Sequence, residues 1–275
     1  MKQGLEKFRI FACAVAGAAL PLAVLRSIAL FTSFDGDIGY FREGAPLVTL
    51  LYILQVLCLL ACFALPFLIK RDTLPTERTP LTRIGRITSG VAALACVCVI
   101  VLLFIKMGSI APALSANGSN QVAPFLLSLL AALLLVAATA HLALQAFAKS
   151  PAPQTLALCG YGLIIAALCL LSVTYFDLFV QMNAPHKVSQ HAALLAIMLA
   201  TLFDIRTLLG IARPHAHGVV AAIAVLLCVP TGLSNIVAFV GGVYTDPLLL
   251  GIDLLLLTYG IYTAARMVEQ SPQKD

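Results

Sequence analysis

The chain has no tryptophan and very little charge. Only 11% of its 275 residues are Asp, Glu, Lys or Arg. A soluble domain carries about 25% charged residues, so a chain this poor in charge cannot cover a water-facing surface. Tryptophan is the usual partner of tyrosine in the aromatic belts at membrane interfaces, so here tyrosine must serve alone. Paired-cysteine chemistry is also missing. The eight cysteines all lie within apolar runs and none has the C-x-x-C spacing of a redox or zinc site. No catalytic signature is present: there is no G-x-S-x-G, H-E-x-x-H, P-loop or dinucleotide fingerprint. The sequence therefore leans away from an enzyme, and it calls for no cofactor and no metal.

What is there is apolar. Hydrophobic residues make up 61% of the chain, and mean hydropathy is +1.02. Lipid is the only solvent that suits such a composition. The runs are continuous rather than alternating in ten-residue units, which excludes a transmembrane β-barrel. A spanning helix needs about 20 apolar residues. Eight runs qualify, at about 8–32, 46–69, 87–106, 122–147, 155–178, 188–210, 218–240 and 247–266. The expectation is one all-α polytopic domain over 1–275, a bundle of eight transmembrane helices.

Lys and Arg set the orientation. With eight spans both termini share a face, and thirteen basic residues fall on that face against three on the other. The positive-inside bias predicts a plasma-membrane protein with cytoplasmic N and C termini. The basic start, MKQGLEKFR, then reads as the lead of a retained first span rather than of a cleaved signal. The cytoplasmic loop KRDTLPTERTPLTRIGR (70–86) carries five basic residues and is expected to meet anionic lipid headgroups. Basic residues gathered at membrane boundaries speak against nucleic-acid binding. The first and fifth spans both end in Phe-Asp, at Phe34-Asp35 and Phe176-Asp177, which is compatible with a parallel 4+4 repeat.

Three groups of polar residues carry a cost in this setting. Arg26 and Asp253 lie at similar depth, about two turns from the same outer face, and are expected to form an intramembrane charge pair. The outer hairpin TYFDLFVQMNAPHKVSQH (174–191) gathers Asp177, Asn183, His186, Lys187, Gln190 and His191. Asn183 before Pro185 reads as a helix cap, with Asp177 near Lys187. His186, Lys187, Gln190 and His191 then share one face, which is either solvated or lines a functional vestibule. The loop 33–46 is expected to pack over that hairpin. Finally, Pro230, Gly232, Ser234 and Asn235 predict a break in the seventh span, of the kind that marks substrate sites in some transporters, or an ordinary proline kink. Asp204 with Arg206 reads as an interfacial ion pair, and His141 as a packing residue.

The segments YFDLFVQMNAPHK (175–187) and FDGDIGYF (34–41), with the basic turn before GRITSGVAAL (85–94), resemble uncharacterised multi-pass membrane proteins of Gram-positive gut bacteria. The resemblance covers most of the chain and implies location, with no established activity. Two functions follow from the polar residues. One is a permease for a small solute or ion, or the membrane subunit of a transporter. The other is a non-transporting scaffold or sensor that binds a cytoplasmic partner.

Overall fold

The computed structural model describes residues 2–36, 38–69, 81–117, 122–148, 151–176 and 184–269. The first helix, α1 (Lys2–Ser33), leads into a two-stranded hairpin of β1 (Phe34–Asp35) and β2 (Tyr40–Phe41). The strands pair antiparallel, with Phe34 opposite Phe41 and Asp35 opposite Tyr40. Gly39, at φ 73°, makes the turn in a left-handed conformation open to glycine at little cost. Then come α2 (Pro46–Cys62), the single turn α3 (Leu65–Leu68), α4 (Arg83–Asn117), α5 (Val122–Phe147), α6 (Pro153–Tyr175), α7 (Pro185–Leu208), α8 (Pro214–Val240) and α9 (Pro247–Glu269).

Seven of these helices are long and apolar enough to cross a membrane: α1 and α4 to α9. The chain is thus a multi-pass, all-α integral membrane protein. The remaining expected span, 46–69, is divided. The helix α2 has 17 residues, about 25 Å of rise, and α3 follows after a short turn. Together they run the length of α1 in the opposite direction. Val48 lies beside the end of α1, in a cleft that also holds Arg26. Leu65 lies where α8 starts, against Gly218, whose other close neighbour is Phe8 near the start of α1. The Ile69 carbonyl accepts a hydrogen bond from His215 Nε2 at 2.9 Å.

Proline sets the register of the bundle. Five of the described helices begin with it: Pro46, Pro153, Pro185, Pro214 and Pro247. At the first helical position the missing N–H would have had no partner, and the fixed φ suits the helix. The start of α9 is also capped, with the Leu248 amide donating to Asp246 Oδ1 at 2.8 Å. At the other end of the bundle the Glu269 carboxylate, on the last turn of α9, accepts from the amides of Thr82 (3.3 Å) and Gly85 (2.7 Å) and from the Thr82 hydroxyl. It thereby satisfies orphan donors at the start of α4.

The helices α4 to α9 pack sequentially, and α9 returns to α4, so these six close a ring. Outside it, α1 lies along α8, and α2 lies on α1. The ring has its own apolar core, built from residues such as Cys96, Leu135, Leu170, Ile197 and Leu256. A second core of Phe8, Leu22, Leu51, Leu65 and Val225 joins α1, α2 and α3 to α8. A parallel 4+4 repeat would pair α4 with α6 as α1 pairs with α8. Among the described residues α4 and α6 do not pack in that way, so the arrangement lacks that symmetry.

Of the two readings of the seventh span, a break or a proline kink, the break is not seen. The helix α8 runs without interruption through Pro230, Gly232, Ser234 and Asn235, all of them buried. Proline costs the ladder one rung, but close packing against α9 holds the helix together. A Cβ on Gly232 would lie 2.6 Å from the Asp253 carbonyl and 2.7 Å from the Leu257 amide. Glycine here lets the two backbones approach, as small residues do at helix contacts in membranes.

Candidate functional site

The close approach at Gly232 brings Asn235, one turn further along α8, to Asp253 on α9. Asn235 Nδ2 donates to Asp253 Oδ1 at 2.9 Å. The first two turns of α7 supply the other partners. Gln190 Nε2 donates to the same oxygen at 2.8 Å, and His186 Nε2 lies 3.3 Å from Oδ2. The carboxylate is 1% exposed, and none of its three partners exceeds that. It lies about 9 Å inside α9, counted as six residues from Pro247 at 1.5 Å each. A charge at this depth is stabilised only by such direct donors.

Arg26 is in the same region but does not take the expected place. It is 3% exposed, and its Nη2 donates to Ser189 Oγ at 2.7 Å and, more weakly, to the Pro185 carbonyl at 3.4 Å. Residues four apart on a helix lie one above the other. So Pro185 and Ser189 face Arg26 while His186 and Gln190 face Asp253, and the two charges bond to different residues at the start of α7. Arg26 and Asp253 act on each other through space, each held by hydrogen bonds to α7.

The polar face of α7 is therefore not solvated. His186, Lys187 and Gln190 are all within 1% of full burial, and His191, half-buried, is 2.8 Å from Thr174 Oγ1. The cap position of α7 is Ala184, with no side-chain cap. Asp177 and Asn183 lie outside the described residues, as does most of the basic loop 70–86. The β1–β2 hairpin packs over the α8–α9 turn, where Phe34 meets Tyr244 edge-on at 5.5 Å. Tyr244 in turn lies against the His186 ring, with centroids 4.2 Å apart. Burial pushes the Tyr244 phenol well above its ordinary range, with Arg26 pulling the other way. Sequence reasoning missed Tyr244 and Ser189. The one signal for Ser189 was its position one turn after Pro185.

Several polar atoms at this site have no hydrogen-bond partner among the described residues. They are Arg26 Nε, His186 Nδ1, Gln190 Oε1, Asn235 Oδ1 and the Tyr244 hydroxyl. Native interiors leave few such atoms, and a cluster of them marks a place that can receive a polar guest. No group of three or more His, Cys, Asp or Glu side chains suitable for a metal occurs among the described residues.

A second polar layer lies toward the other end of the ring. Tyr262 donates to Gln145 Oε1, Gln145 Nε2 donates to His141 Nε2 (2.7 Å), and His141 Nδ1 donates to the Leu156 carbonyl (2.8 Å). Thr201 and Tyr259 share a hydrogen bond of 2.8 Å. Asp204 meets Arg266 of α9 at 3.8 Å, so its partner comes from across the bundle and not only from its own helix. Between the two polar layers lies an apolar one of Ala193, Leu194, Ile197, Cys228 and Leu256, all fully buried.

Compared with protein-family models, with curated proteins and with solved structures, the chain matches none of them.

Proposed function

We propose that this protein is a plasma-membrane permease for a small polar solute or ion, acting alone or as the membrane subunit of a transporter, and that Asp253, His186, Gln190 and Asn235 hold the solute. The observation that carries the reading is the buried polar constellation around Asp253 with its unpaired atoms about 9 Å inside the bundle. Structural ion pairs satisfy themselves, whereas this one leaves donors and acceptors over. Two polar layers divided by one apolar layer also suit alternating access, in which the apolar layer is the closed gate. The segment α2–α3 is the eighth crossing in this reading, and both termini are cytoplasmic. Its support is the course of 46–69 along α1 together with the excess of basic residues on one face.

The apolar layer also favours a second reading, a sealed scaffold or sensor whose cytoplasmic loop 70–86 holds a partner or anionic lipid. Flux separates the two. Uptake of radiolabelled monovalent cations, amino acids and sugars is measured with purified protein in liposomes. A permease moves at least one of them faster than protein-free liposomes do, and Asp253→Asn slows it at least tenfold. Absence of flux across the panel from folded wild-type protein supports the scaffold. For topology, single cysteines at Thr76 and Ser119 are labelled in cells. Eight crossings require that Thr76 react only after permeabilisation and Ser119 without it.

A further inference from the structure

Beside the Asp253 cluster, and separate from it, a cleft of about 500 Å³ opens between α2 and α7. Small-molecule sites span roughly 300–1,000 Å³. The cleft exists because α2 packs on α1 and α8 rather than closely on α7, so among the described residues no helix packs closely over the face of α7 that carries Val188 and Ala192. Its mouth points sideways, out of the bundle. Tyr52 and Val188 on its two walls are 44% and 53% exposed, at a level that faces lipid in a membrane.

The charge on its walls has one sign. Arg42 stands at the rim, just after β2, and Arg26 lies at the inner wall, while among the described residues no Asp or Glu lines the cleft. Arg26 is 3% exposed and its Nε has no partner. Below the arginines the described walls are apolar apart from Gln55 of α2. Val188 and Ala192 of α7 lead down to Leu227 of α8, about 20 Å below the end of that helix, counted as thirteen residues. A polar, cationic upper part over an apolar lower part, open to lipid at the side, matches a molecule with an anionic head and a hydrocarbon tail.

We propose that this cleft binds an anionic amphiphile from the surrounding leaflet, with a phosphate or carboxylate head between Arg42 and Arg26 and an acyl chain along Val188, Ala192 and Leu227. A guanidinium binds either head through charge-assisted hydrogen bonds. The cleft shares Arg26 and its partners Pro185 and Ser189 with the site described above, but none of the four residues proposed to hold a solute lines it, so the proposal holds whether or not the protein moves a solute.

The absence of tryptophan makes a direct test available. Tyr52→Trp places a single tryptophan at the mouth, and the protein is held in zwitterionic phosphatidylcholine nanodiscs. Dodecyl phosphate should change the fluorescence saturably. Inorganic phosphate at a hundredfold higher concentration should not, and dodecanol should give only a linear, partition-type response. Arg42→Gln, at an exposed position that burial does not constrain, should weaken dodecyl phosphate about fivefold, the share of one interfacial basic residue. Ala192→Phe, which fills the apolar end, should abolish saturation. Unchanged binding in both variants, or saturation by dodecanol, would overturn the proposal in favour of simple partitioning. Inorganic phosphate binding as well as dodecyl phosphate would overturn it in favour of a plain anion site.

Discussion

Replacing Asp253 by leucine removes the one acceptor shared by three buried donors. Gln190 Nε2 and Asn235 Nδ2 lose a partner at 2.8 and 2.9 Å, and His186 loses one at 3.3 Å. Each buried donor left without an acceptor costs about 1–3 kcal/mol. Relaxation and the retained contact of Gln190 with the Leu249 carbonyl recover part of that, so the change should cost about 3–5 kcal/mol. Asp253→Asn keeps the shape and an acceptor oxygen and should cost about 1–2 kcal/mol. The sharper measurement is a pair of double-mutant cycles, read from reversible unfolding in mixed micelles. Asn235→Leu with Asp253→Leu should couple by about 1–2 kcal/mol, since the two side chains touch. Arg26→Leu with Asp253→Leu should couple less, because the two share no hydrogen bond and are held by different residues of α7. A larger coupling for Arg26 than for Asn235 would mean that the two charges form the pair first expected from their depth, and that the geometry described for α7 is wrong.

Gly232→Ala should push α8 from α9 and destabilise by about 1–3 kcal/mol, since its Cβ meets backbone that cannot swing away; near-native unfolding of this variant would show that the helices are not in close contact. Glu269→Ala should cost about 1–2 kcal/mol by uncapping α4, and hydrogen exchange at the amides of 82–86 should rise, with no rise refuting the cap. Tyr244 is held neutral by burial, so its folded value exceeds its unfolded value of about 10. Its contribution is therefore complete below pH 10 and is lost as pH rises further. Tyr244→Phe should flatten that alkaline decline, which is followed by unfolding at a series of pH values.

The helices were legible because the bilayer imposes a length. The run 122–147 coincides with α5 and the run 247–266 falls within α9, since in lipid a continuous, non-alternating apolar run satisfies its backbone as a helix. Proline at the helix starts sharpened the boundaries further. The site was legible only in its members. Arg26, His186, Gln190, Asn235 and Asp253 each stood out as polar groups in an apolar setting. Depth suggested Arg26 and Asp253 as partners, but depth is one coordinate, and which faces two helices turn toward each other is set by packing that no single segment encodes. Asn235 illustrates the same gap. With Pro230 and Gly232 it suggested a broken helix, whereas Gly232 serves to bring α9 close and Asn235 to reach its carboxylate.

Pro230 in α8 and Pro21 in α1 have a joint mechanical effect. Each lacks the N–H that would hold the carbonyl four residues back, Leu226 in one helix and Gly17 in the other. The two helices lie side by side and run the same way, with Gly218 beside Phe8 at their starts and Gly241 beside Phe31 at their ends, and each places its polar residue five positions beyond its proline: Asn235 after Pro230, Arg26 after Pro21. Bending is cheapest where a rung is missing. The upper thirds of α1 and α8 can thus tilt together about one level, as a pair of reeds notched at the same height. Such a tilt would move Asn235 against Asp253 and Arg26 against Ser189 in a single stroke, linking the buried carboxylate to the lipid-facing cleft.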